Sequence, residues 1–344
     1  MKCRLLVLFL PLVLLGCSKK TPVTTVFPIS QIHVVTTQES REQVEIKRQA
    51  LALLEARNYD QLEALAAKYR SSGEGYADGV SKLFVFYEGL DAKDKDSEAI
   101  WKERQGQIQQ WIQAMPTSVT ARVEMGWILT DYAWHARGSG WASSVNDESE
   151  KAFEERLQQA VQALNEALQL KDKCPVCWTA MQKAALGLGL NRSRYDDLFT
   201  QAVEAFPDYD YFYRSRAIYL LPRWYGKEGE WESDLAKSAD KVGGEKGDLI
   251  YARAVWSIRH YGDGIDVFAD KGISWERVDR GFEVILKQYP DSLAAKTERA
   301  QLAGLAGNSE MAKKYLIQTK GEVDLDEWQA QGEYEDFYKW AFGQ

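Results

Sequence analysis

Cysteine, proline and histidine are scarce in this chain of 344 residues, numbering four, eight and three. The histidines (His33, His135, His260) are single and scattered, and only one pair of cysteines is closely spaced, at Cys174 and Cys177. A tetrahedral zinc site needs four ligands, and no second Cys-x-x-Cys accompanies this pair. Haem attachment needs histidine directly after the second cysteine, where this chain has Trp178. No metal or other cofactor is therefore expected. Scarce proline leaves room for long uninterrupted helices. Sustained period-two alternation bounded by hairpin turns is missing, so no sheet is expected. A Gly-x-Ser-x-Gly elbow is missing as well. Basic charge is also in deficit, with 43 Lys and Arg against 51 Asp and Glu. Nucleic acid is excluded as a partner, because neutralising phosphates requires clustered Lys and Arg.

The first residues decide the compartment. Lys2 and Arg4 precede the apolar run LLVLFLPLVLL (5–15), which is too short to span a bilayer. The run ends in Leu14-Leu15-Gly16-Cys17, which resembles the lipobox of bacterial lipoproteins. That resemblance implies a signal peptide over 1–16, cleavage before Cys17, diacylglycerol on its sulfur and a further acyl chain on its amine. Each buried methylene adds roughly 0.8 kcal/mol, so several chains anchor stably. Ser18 after the cysteine favours the outer membrane, facing the periplasm, over retention at the inner one. Cleavage removes Lys2 and Arg4 and leaves a charge of 41 − 51 = −10. Residues 17–37, rich in Thr and Ser with two prolines, read as the lipidated cysteine and a flexible tether.

From residue 38 to 344 the pattern is helical. KAFEERLQQAVQALNEAL (151–168) places Phe153, Leu157, Ala160, Val161, Leu164 and Leu168 on one face. Asp147 and Glu150 suit a capping box at its start. Met115-Pro116, Phe206-Pro207 and Tyr289-Pro290 each end one amphipathic segment and begin another. LKDKCPVCW (170–178) and AFPDYDYFY (205–213) hold matching places about 34–36 residues apart, near the tetratricopeptide period of roughly 34. LLEARNYDQLEALAAKY (53–69) and AQLAGLAGNSEMAKKYL (300–316) are two more helix-turn-helix units. The expected fold is all-α, a TPR-like α-helical repeat (α-solenoid) with irregular loop insertions. Twelve tryptophans suggest thick aromatic packing between the helices.

Two stretches interrupt the helices, HARGSGWASSVNDES (135–149) and LLPRWYGKEGEWES (220–233). With the LLEARNYDQLEALAAKY opening, the ARG-x-G-W-A segment after a long helix and LPRWYG after the next repeat pair, the chain resembles the bacterial family known as domain of unknown function 4034. The resemblance extends over roughly residues 45–310 as a pattern. It implies a TPR-like helical fold, brings no established activity and transfers no functional residue.

Cys174 and Cys177 are the thiols left after signal cleavage and lipidation, and export favours their oxidation to a disulfide. KCPVCWTAM opens a helix, with Pro175 suited to its first turn. A thioredoxin-like active site would also sit at a helix start, but in a βαβ context that is not visible here. The two irregular stretches carry Arg137, Trp141, Arg223 and Trp224, an aromatic–basic binding patch if they meet in space. No catalytic set is apparent, and His135 on a Trp-rich helix reads as a packing residue. The leading expectation is a lipid-anchored envelope scaffold that binds a protein or peptide partner on a concave surface. An envelope enzyme acting on cell-wall material is the alternative. It requires convergent carboxylates or His135 near the two loops. A thiol–disulfide oxidoreductase using Cys174 and Cys177 ranks lower and requires an exposed thiol of low pKa.

Overall fold

Amphipathic segments set the helices, and capping residues set their ends. The computed structural model describes residues 32–76, 79–93, 95–138, 146–261, 265–269, 272–324, 327–328 and 330–343. The signal segment, Cys17 and Trp141 lie outside the described residues. The chain begins with β1 (His33–Val35), α1 (Gln38–Glu55), α2 (Tyr59–Ser72) and α3 (Lys82–Leu90). Paired helices follow: α4 (Glu98–Ala114) with α5 (Val119–Arg137), α6 (Asp147–Gln169) with α7 (Pro175–Gly187), and α8 (Arg192–Ala205) with α9 (Tyr211–Tyr219). Next come α10 (Glu230–Val242) with α11 (Gly244–Arg259), and α12 (Trp275–Gln288) with α13 (Leu293–Leu305). The chain closes with α14 (Ser309–Gln318), β2 (Glu322–Asp324) and α15 (Gln331–Phe342). This is an all-α fold of repeated helix pairs.

Two kinds of joint recur. The helices α4, α8 and α12 end at Met115, Phe206 and Tyr289, with φ/ψ of −128°/74°, −143°/74° and −130°/71°. The proline that follows each excludes α-helical geometry from the residue before it. The amides of Ser118, Tyr209 and Ser292 then turn back onto the Met115, Phe206 and Tyr289 carbonyls. The second joint follows α1, α7 and α13. There Arg57, Gly189 and Gly307 take left-handed backbone, with φ of 54°, 64° and 72°. Asn58, Asn191 and Asn308 then cap the next helix with their side-chain oxygens. At α6 the cap is Asn146, which accepts from the Ser149 amide, one residue ahead of the expected Asp147. Pro175 does open α7, with Cys174 as its N-cap.

One expectation fails at the chain's start. β1 and β2 pair in parallel, His33 with Glu322, Val34 with Val323 and Val35 with Asp324. Three-residue strands are too short to show alternation, which is why the pattern gave no sign of a sheet. The last residues of the expected tether are thus folded against the far end of the repeat. Asp324 Oδ2 accepts from the Thr37 amide and the Ser40 hydroxyl, each at 3.4 Å, which ties the start of α1 to the same strand.

The odd-numbered helices α5, α7, α9 and α11 pack on one another in order and form an inner row, with the even-numbered helices behind them. Trp101 and Trp111 of α4 are wholly buried, as the tryptophan content suggested. α7 is buried on nearly every face, whereas α8 buries only Tyr195 and Ala202. α3 returns to the inner row from the chain's first third. Its Phe84 meets Trp127 of α5 edge-on at 5.3 Å and Tyr211 of α9 at 4.7 Å.

Candidate functional site

Five helices of the inner row converge on one cavity of about 470 Å³. α3 contributes Phe84, α5 Trp127 and Trp134, α7 Thr179, Gln182, Lys183 and Leu186, and α9 Tyr211, Arg214, Ser215 and Ile218. Ser257 of α11 and Tyr261 just beyond it complete the lining. Thr179, Gln182, Lys183 and Leu186 follow a three-to-four spacing, which puts them on one stripe of α7. The same spacing holds for Tyr211, Arg214, Ser215 and Ile218 on α9. Phe84 and Tyr211 close the floor. The Ser81 amide donates to the Tyr211 hydroxyl at 3.3 Å, and burial first, then the charges of Arg214 and Asp210, leave that phenol's pKa pushed up to about 12. The Arg253 guanidinium lies where a Cβ on Gly79 would stand, so the turn before α3 also rests on α11.

The lining is mainly apolar, with defined polar points. Thr179 Oγ1, Gln182 Oε1 and Trp134 Nε1 are buried and have no hydrogen-bond partner among the described residues. The Lys183 ammonium is 2.5 Å from Asp131 Oδ1, and Arg214 is held by Asp210, with its Nε at 2.8 Å from Oδ2. Among the described residues, those lining the cavity include no Asp, Glu or His. His135 stacks at 5.2 Å on Trp101, away from this space. Among the described residues that line this cavity, neither His135 nor the convergent carboxylates of the enzyme alternative appear.

The rim brings the two irregular stretches together. Trp134 and Trp224 meet edge to face at 5.6 Å, and the Arg137 guanidinium lies 5.5 Å from the Trp134 ring and 5.9 Å from the Trp224 ring. Arg223 lies 5.9 Å from Trp224 and 5.7 Å from Tyr261, whose hydroxyl accepts from Trp224 Nε1 at 2.8 Å. Arg137, Arg223 and Trp224 thus share one cluster, while Trp141 lies outside the described residues. LPRWYG folds back on itself. The Trp224 and Gly226 amides both donate to the Leu221 carbonyl, and the Leu220 carbonyl fills the place a Cβ on Gly226 would need. Burial raises the Tyr261 pKa, while Trp224, Arg223, Lys183 and Arg137 all pull it down, so three cations act on one phenol.

Behind the Lys183 wall, Asp131 hydrogen-bonds Asp91, whose carboxyl burial and the Asp131 charge push well above the usual range. Of the two, Asp91 is the carboxyl that keeps its proton. Glu124 of α5 is fully buried, with both carboxyl oxygens unpartnered, and burial raises its pKa in the same direction.

Cys174 and Cys177 are free, buried thiols, and the expected disulfide is not formed in this structure. Their sulfurs face different neighbours: the Tyr87 hydroxyl is 3.5 Å from Cys174 Sγ, and Cys177 Sγ donates to the Leu164 carbonyl at 3.6 Å. Burial raises both thiol pKa values. The oxidoreductase alternative needs an exposed thiol of low pKa, and neither sulfur is one. Among the described residues no group of His, Cys, Asp or Glu comes together as a metal site, and no helix is long and apolar enough to cross a membrane.

Residues 48–190 match the family model described as domain of unknown function (DUF4034). This stretch carries a domain of that family. The match runs from α1 to the end of α7. It includes three of the five cavity helices, with Arg137, Cys174 and Cys177, and ends before Arg223 and Trp224. It is shorter than the span of roughly 45–310 suggested by the residue pattern. No curated protein matches the chain.

Proposed function

We propose that the protein is a lipid-anchored binding protein of the bacterial cell envelope, held at the outer membrane through Cys17 and facing the periplasm. Its cavity takes a short segment of a protein or peptide partner. The observation that carries this reading is the convergence of five helices from separate repeats on a single apolar space with few, fixed polar points, the usual make-up of a binding site. Supporting the anchor are the signal segment and Leu14-Leu15-Gly16-Cys17. The repeat serves as a scaffold: inner helices supply the contacts, outer helices hold them in place.

Two experiments test the two halves. Metabolic labelling with palmitate in a Gram-negative host marks the full chain but not Cys17→Ser; label on both, or on neither, rejects the anchor. A photo-crosslinking phenylalanine analogue at Ile218, inside the cavity, is compared with one at Val44, which is 66% exposed on α1. The reading requires a discrete protein adduct at Ile218 that Val44 does not give, formed in cells of the producing organism. Equal adducts at both sites, or none, overturn it.

A further inference from the structure

α8 and α10 both pack on α9, and a second space of about 360 Å³ lies between them, behind the inner row. Arg216 of α9 fixes its walls: the guanidinium bonds Asp196 of α8 at 2.8 Å and Asp234 of α10 at 2.6 Å. On the α8 wall, Phe199 and Val203 stand one turn apart and share a stripe, with Glu204 beside them. Lys241 and Val242 line the α10 wall. Lys246 at the start of α11 is paired with Asp208, so its charge is already compensated.

Glu204 and Lys241 differ from that pair. Both are exposed, and among the described residues neither side chain forms an ion pair or hydrogen bond, with the other or with any third group. Tyr213 of α9 lies between the walls. It is 4% exposed, yet its hydroxyl has no hydrogen-bond partner among the described residues and is not one of the fully enclosed polar atoms. A molecule in the space can therefore reach it. Burial alone raises its pKa, with no charged group contributing.

We propose that this space binds a small zwitterion with an apolar side chain, a free α-amino acid or a dipeptide. The ligand ammonium meets Glu204, its carboxylate meets Lys241, and its side chain lies along Phe199, Val203 and Val242. The Tyr213 hydroxyl donates to a ligand oxygen. A ligand of one charge would leave the group on the other wall unmatched, whereas a zwitterion answers both. The size agrees, since about 360 Å³ is near the small end of ligand pockets, which run from about 300 to 1,000 Å³. The Tyr213 hydroxyl has lost much of its hydration without gaining a partner, so a bond to the ligand restores what folding left unmet. This site is separate from the inner-row cavity and does not depend on what that cavity binds.

The test is isothermal titration calorimetry of the full-length protein with free phenylalanine and with Ala-Phe, each against its N-acetylated, C-amidated form. At least one zwitterion is expected to bind about tenfold or more tightly than its blocked form, and the tighter of the two gives the length of the ligand. Glu204→Gln and Lys241→Gln are each expected to lose about fivefold, the worth of one exposed charge contact. Lys171→Gln, exposed on the turn before α7, is expected to lose nothing. Tyr213→Phe breaks no internal hydrogen bond, so its urea midpoint should match the wild type while its binding weakens by about fivefold. Equal binding of free and blocked forms overturns the zwitterion. Binding unchanged in Glu204→Gln, Lys241→Gln and Tyr213→Phe places the ligand elsewhere and overturns the site. No binding of either zwitterion at millimolar concentration overturns the inference.

Discussion

The backbone amide of Ser81 donates to the hydroxyl of Tyr211, joining residues 130 positions apart. That bond, with Phe84 packed on the same ring, ties α3 to α9 along one wall of the cavity, its floor. Replacing Tyr211 by Phe keeps the ring and removes the acceptor. The Ser81 amide is then left to find water, so we expect a loss of about 0.5–1.5 kcal/mol in urea unfolding. Hydrogen exchange at Ser81 should accelerate by more than the global loss explains, because the α3 floor loosens locally. Unchanged exchange at Ser81 would show that Phe84 alone holds the floor.

Arg57 offers a gain instead of a loss. It sits at φ 54° in the turn where the equivalent residues are Gly189 and Gly307. An L-residue in left-handed backbone costs roughly 1–2 kcal/mol, part of which glycine forfeits through its greater freedom when unfolded. Arg57→Gly is therefore expected to stabilise the protein by about 0.5–1 kcal/mol, and Gly307→Ala to destabilise it by a similar amount. Chemical denaturation of the two variants side by side checks the pair. Stabilisation by neither, or by both, would mean that the two turns are not equivalent.

The same turns show what could be read without coordinates. The proline joints and the Ala-Arg-Asn and Ala-Gly-Asn turns were legible because a residue type dictates a backbone geometry there. The meeting of Arg137 with Trp224 was open to suggestion from composition, but their contact depends on how the row of α5, α7 and α9 brings the end of α5 near the turn after α9. The cavity lining was missed altogether. α5 and α7 are buried on most faces, so neither shows the one-sided periodicity that flags an amphipathic helix. The available signal was weaker: Thr179, Gln182 and Lys183, polar residues at helical spacing in an otherwise apolar segment. β1 and β2 left no trace, since three residues cannot alternate enough to be recognised.

Cys174 and Cys177 give a direct chemical test of their surroundings. Both are 1% exposed, and burial raises both pKa values, so the reactive thiolate is scarce and shielded. Maleimide added to the native protein near neutral pH should label either residue only at the rate of unfolding. In concentrated urea both should react at once, without reductant, as peptide mapping by mass spectrometry would show. A chain that takes up no label in urea until reductant is added carries a Cys174–Cys177 disulfide instead. Rapid native labelling of Cys174 would contradict its burial against Tyr87.

Glu124 makes stability fall as pH rises. In the unfolded chain a glutamate titrates near 4.3, whereas in the fold burial holds this carboxyl protonated well above that; Arg104 and Lys93 act against the shift and Asp131 with it. Below the unfolded pKa both states keep the proton, and Glu124 adds no pH dependence. Above it the unfolded state releases the proton and the native state does not, so its contribution erodes until pH reaches the folded value. Glu124→Gln keeps the shape and the neutral charge but has no proton to lose. The variant should therefore match the wild type near pH 4 and gain on it steadily toward pH 8, by at most about 1.4 kcal/mol per pH unit. Asp91 has the same sign, so Asp91→Asn should remove a further part of the slope. Urea midpoints measured across that pH range decide the matter: a constant gap between wild type and Glu124→Gln would mean that Glu124 is ionised inside the fold.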